Sequence, residues 1–103
     1  MSLAVLLATP PPGCAILHRE GRPLLAAARP FVAGEPILVL EHVVWRAAPD
    51  AGALTDEHGR RLFDPVLRLI PCRARPNGRL SLRLLALIAR RDIQPGEVLT
   101  REG

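Results

Sequence analysis

Side-chain chemistry needs nucleophiles, acids, bases or metal ligands at workable spacing, and this chain of 103 residues offers few of them. Its histidines are His18, His42 and His58, and its cysteines are Cys14 and Cys72. They are scattered along the chain without two pairs at the short separation that zinc sites use, so no metal is expected and both thiols read as reduced. Ser2 and Ser81 are the only serines, and neither sits in the Gly-x-Ser-x-Gly setting of an activated hydroxyl. Glu35 and Glu97 could form an acid and base pair. Each directly follows a turn glycine, however, where a carboxylate accepts hydrogen bonds from turn amides, and a structural role is expected for both.

The concentrated feature is basic. Arg73, Arg75, Arg79 and Arg83, with Arg90 and Arg91 beyond them, form a run that reads either as solvated loop and edge charge or as a surface for an anion or an acidic peptide. No aromatic residue interrupts it, so bases have nothing to stack on. Contact with nucleic acid would run through phosphates and collapse as salt rises. The net charge of +4 favours anionic partners. All the basic residues are Arg, which with the abundant Ala, Leu, Pro and Gly points to a GC-rich, bacterial genome.

Positioning falls to short elements, because 11 Pro and 8 Gly cut the chain into pieces that suit a mostly-β domain. Strands are expected at 3–8 and at 14–18, and "RPLLAAA" reads as a third strand or, through Ala27 and Ala28, as helix. "EPILVLEHVVW" is expected as one strong strand ending at Trp45, which reads as core or edge packing. A loop follows at 47–60. Asp64 as N-cap and Pro65 at the first helical position predict one short helix near 64–70. "LSLRLLALIA" reads as a strand buried on both faces, with helix as the alternative. Aromatics make up 3% of the chain, with no Tyr, so Leu, Ile, Val and Ala must build the core. The apolar stretch near the N-terminus lacks a basic leader and is too short to span a bilayer, which makes a cytoplasmic protein without a membrane span the expectation. Residues 1–3 and 102–103 resemble expression-vector remnants, with the native chain stopping or cut near Arg101.

One pattern occurs twice. Residues 27–38, "AARPFVAGEPIL", align with "ARRDIQPGEVL" at an offset of 62, so that Ala27 matches Ala89, Arg29 matches Arg91, Phe31 matches Ile93, Gly34 matches Gly96 and Glu35 matches Glu97. Pro95-Gly96 suits a type II turn, and Ala33-Gly34 takes the same part. Each copy is a strand, a turn and a strand. Two copies are too few for a solenoid, so they imply pseudo-symmetry within a single domain, residues 1–103.

Two such copies near the ends of a small β domain resemble the SET domain, a β-clip fold, over residues 14–100. "EGRPLLAAARPFVAGEPILVLE" is similar to the family's first segment and "LALIARRDIQPGEVLT" to its second. Between them "IPCRARPNGR" is similar to the Asn-His-Ser-Cys-x-Pro-Asn motif. The resemblance implies a SET-like β-clip fold and, for ordinary members, lysine methylation with S-adenosylmethionine. It makes Gly21, Arg22, Cys72 and Asn77 the candidate cofactor-binding residues by position. This chain departs from the pattern at Pro23, which replaces the second glycine of the Gly-x-Gly motif, and at Pro71 and Cys72, which replace the Asn and the His. The catalytic tyrosines have no counterpart. The first reading is therefore a SET-like binding or interaction module with a degenerate active site and no catalytic residues, engaging a protein or peptide partner. An S-adenosylmethionine-dependent protein-lysine methyltransferase is the second, and a ligand-binding domain resembling the related SAF β-clip is the third. Because minimal SET domains pair, a homodimer is also among the implied assemblies.

Overall fold

The computed structural model describes residues 3–47 and 55–102. Ser2, the centre of the expected loop at 47–60, and parts of the two ends expected to be vector-derived lie outside them. The fold is mostly β, built from small antiparallel sheets as the density of turn residues requires. Strands β1 (Cys14–Arg19) and β2 (Arg22–Ala27) form a hairpin. Strands β3 (Pro36–Val39), β6 (Gly78–Ser81) and β7 (Ala86–Ala89) form a three-stranded sheet in the order β3-β7-β6. A second hairpin joins β4 (Val44–Ala47) to β5 (Arg60–Phe63).

The expected short helix is present as a 3-10 helix, Pro65–Leu69. Asp64 is its N-cap, accepting from Val66 N at 2.9 Å, and the helix buries Val66, Leu67 and Leu69. Residues 3–8, expected as a strand, instead form helix α1 (Leu3–Ala8), which packs against the 3-10 helix. An apolar run of six is ambiguous by periodicity, and a composition of Leu and Ala favours the helix.

Two expected strands are each broken in two. "EPILVLEHVVW" bends after β3, so that β3 pairs with β7 and β4 pairs with β5. His42 N donates to Asp64 Oδ2 at 2.9 Å, which ties the bend to the helix cap. "LSLRLLALIA" is the β6–β7 hairpin. Ser81 Oγ accepts from Leu84 N at 3.1 Å, and Leu85 takes a φ of 51°. The hydroxyl thereby does locally what a Gly or Asn would ordinarily signal.

The two similar segments meet face to face. Phe31 and Ile93 exchange main-chain hydrogen bonds, Phe31 N to Ile93 O at 2.9 Å and Ile93 N to Phe31 O at 2.8 Å. Around them the pattern repeats with the copies exchanged. Ala27 N donates to Glu97 O and Ala89 N to Glu35 O, both at 2.9 Å, while Gly96 N donates to Ala27 O and Gly34 N to Ala89 O, both at 2.7 Å. The turn glycines have φ of 87° and 89°, as a type II turn demands. A pseudo-two-fold axis thus passes between Phe31 and Ile93, both in the core with Leu25, Leu87 and Leu99. One contact is not mirrored: Ala33 N donates to Asp92 Oδ1 at 2.9 Å, but the residues equivalent to these, Pro95 and Pro30, can neither donate nor accept in this way.

Candidate functional site

The two glutamates are occupied in equivalent ways. Arg29 pairs with Glu35 at 2.7 Å and Arg91 with Glu97 at 2.9 Å. Each carboxylate also accepts from an amide three residues upstream, Val32 N for Glu35 and Gln94 N for Glu97. The arginine hydrogen bond first and the turn amide second hold both carboxyls below the ordinary value of 4.5. They are parts of turns, with no proton to exchange near neutral pH. A carboxyl depressed in the folded state contributes stability above its unfolded pKa and loses it as pH falls through the folded one. The double substitution Glu35→Gln, Glu97→Gln should therefore flatten the acid limb of stability below about pH 4.5, as measured by urea unfolding across pH. An unchanged acid limb would mean these pairs contribute nothing, and exposure to solvent keeps the expected effect small.

The candidates gathered by the resemblance do not all come together. Gly21 sits at the tip of the β1–β2 hairpin, where Glu20 and Gly21 both have positive φ, 53° and 76°, and make the two-residue turn that Arg19 and Arg22 close. Gly21 and Arg22 are exposed, and no hydrogen bond or ion pair joins them to Cys72 or Asn77 among the described residues. Pro23, in place of a second glycine, lies opposite His18 in the ladder. Cys72 is an exposed free thiol; Cys14 is buried, and burial pushes its thiol up to about 11 despite the nearby Arg29.

Asn77 is 3% exposed and fully engaged. Its Nδ2 donates to Val98 O at 2.9 Å, its Oδ1 accepts from Thr100 N at 2.8 Å and from Thr100 Oγ1 at 3.1 Å, and its main-chain N donates to Thr100 Oγ1 at 2.9 Å. The segment 71–78 and the segment 98–101 are further joined by Arg73 N to Arg101 O at 2.9 Å and Gly78 N to Thr100 O at 3.0 Å. The same final segment pairs on its other side with β2, where Leu99 N donates to Leu25 O at 2.9 Å. Asn77 is a clamp that holds the last segment between β2 and the 71–78 loop.

Beside this clamp lies an open groove of about 510 Å³ whose walls include Arg73, Arg75, Arg91, Glu97 and Thr100. Arg91 is paired to Glu97, and Arg73 donates to Cys72 O at 2.8 Å. Arg75 has no bound partner among the described residues. Arg79, on β6, and Arg83, in the β6–β7 turn, are exposed but stand outside the groove lining. The basic run is thus divided, with only its first half facing a concavity.

A second, larger groove of about 870 Å³ is formed by the β4–β5 hairpin, the bend at 42–43, the 3-10 helix, Leu3 of α1 and Arg101. It combines Val44, Phe63 and Leu67 with Arg46, Arg61 and Arg68. It is not legible in the basic run, since Arg46 and Arg61 are brought together only by the hairpin. "RRLF" gives no clean polar and apolar alternation to signal it, since Arg60 is exposed, Leu62 buried and Phe63 exposed.

Among the described residues no three His, Cys, Asp or Glu side chains cluster as metal ligands do, and no helix is long and apolar enough to cross a membrane. The chain matches no protein-family model and no curated protein.

Proposed function

We propose that this chain is a SET-like β-clip domain that acts as a binding module, without methyltransferase chemistry of its own, and takes an anionic protein segment in the groove beside residues 71–78. The repeated Ala-Arg turn units facing one another across Phe31 and Ile93, and the loop closed over the final segment, support the β-clip reading. The observation that carries the binding role is the groove bounded by Arg73, Arg75 and Arg91. Its lining contains one carboxylate, Glu97, already paired to Arg91, so positive charge is left to meet a ligand. The lining has no aromatic side chain to stack a base, which favours a protein partner over nucleic acid.

The residues present do not fit S-adenosylmethionine where the resemblance would hold it. The amide of Asn77 is committed to Val98 and Thr100, Gly21 shapes a hairpin tip, and the chain has no Tyr whose hydroxyl could orient an amine.

Calorimetric titration tests both parts. No S-adenosylmethionine binding is expected at micromolar concentration, whereas an oligoglutamate peptide should bind saturably and weaken steeply between about 50 and 500 mM salt, as screening of exposed charges requires. The double variant Arg73→Gln, Arg75→Gln should lose most of that binding. Micromolar binding of S-adenosylmethionine would overturn the cofactor part, and peptide binding indifferent to salt or to the double variant would overturn the groove.

A further inference from the structure

The larger groove carries an electrostatic arrangement that the fold itself does not use. Arg46 on β4 and Arg61 on β5 are directly opposed in the ladder, and both line the groove. Like charges in that position destabilise a two-stranded sheet. The neighbouring Arg60 is neutralised by Asp56 at 2.9 Å, but Arg46, Arg61 and Arg68 have no carboxylate partner among the described residues. The one acid in the lining, Asp64, has both oxygens committed, to Val66 N and to His42 N. Between these charges Val44 is 48% and Phe63 42% exposed, and Arg46 lies 5.4 Å from the Phe63 ring centre.

We propose that this groove docks an extended protein segment in which a carboxylate and an apolar side chain stand two residues apart, so that both face the groove as Val44 and Arg46 do on β4. The carboxylates relieve the opposition of Arg46 and Arg61 and reach Arg68. The apolar residues cover Val44 and Phe63, a contact that a small carboxylate could not supply. The lining of this groove shares no residue with the one beside residues 71–78, so the two proposals stand or fall separately.

Trp45, between Val44 and Arg46, packs against the core outside the groove lining, so occupancy is read from the NMR chemical shifts of Val44 and Phe63. The intact chain is titrated with a synthetic peptide repeating Val-Ser-Glu-Ser, which sets Val and Glu on one face when extended. Saturable binding is expected, with a loss of about fivefold for each of Arg46→Gln and Arg61→Gln, the scale of a partly exposed ion pair. A peptide with Gln for Glu, and one with Ser for Val, should each bind more weakly. The Arg73→Gln, Arg75→Gln variant should bind the Val and Glu peptide as the parent chain does. Affinity unchanged in Arg46→Gln and Arg61→Gln would overturn the proposal. So would equal binding of the Ser-for-Val peptide, equal binding of laurate in place of peptide, or self-association abolished by Arg61→Gln, which would make a second copy the occupant.

Discussion

Replacing Phe31 by alanine is expected to lower the unfolding free energy by about 3–5 kcal/mol, the usual cost of emptying a buried aromatic site. Phe31 is 1% exposed, packs against Gly13, and lies beneath the Arg29 guanidinium at 3.9 Å. It also faces Ile93, 0% exposed, across the pseudo-two-fold axis, so the cavity would open where the two repeated units meet. A domain of this size has roughly 5–15 kcal/mol in total, so the loss should move the urea midpoint far enough to leave a marginal fold. Val32→Ala, one residue on and 62% exposed, should change stability by no more than about 0.5 kcal/mol. If the two variants unfold at the same urea concentration, the axis through Phe31 is not where the stability resides.

Asn77→Ala is the second large effect, expected at about 2–4 kcal/mol, because three hydrogen bonds made by one buried side chain are lost together and Val98 O and Thr100 N lose their partner. Thr100→Val removes the hydroxyl that bridges Asn77 N and Oδ1. Since the two residues share these bonds, the double variant should cost less than the sum of the singles, with a coupling of about 1–2 kcal/mol. Additive costs would sink the clamp. The cycle also separates two roles for Asn77: a residue kept to hold a cofactor would alter cofactor affinity and leave the stability of the free chain nearly unchanged.

How much can be read in the chain varies with how local the cause is. The cap formed by Asp64 and Pro65 and the hairpin around Gly21 depend on neighbours within a few residues. The first of these is legible in the residue order alone, as a short helix near 64–70. The turn in "LSLRLLALIA" is not, because a Ser81 hydroxyl and a strained Leu85 replace the usual turn residues, leaving an apolar run that looks like one strand. The bend in "EPILVLEHVVW" is hidden for a different reason. Its anchor, Asp64, is 22 residues away from His42.

The candidate site divides along the same line. Composition and residue order alone determined that the chain has no tyrosine hydroxyl, that its basic residues cluster near 73–91, and that one turn unit occurs twice. Only the tertiary structure decided that the two units pair with each other through Phe31 and Ile93. It likewise decided that Asn77 is consumed by the final segment, and that Arg46 and Arg61 oppose each other over an apolar groove. Each of those outcomes depends on which distant segments meet, and long-range pairing is set by how the whole core closes, which no local spacing encodes.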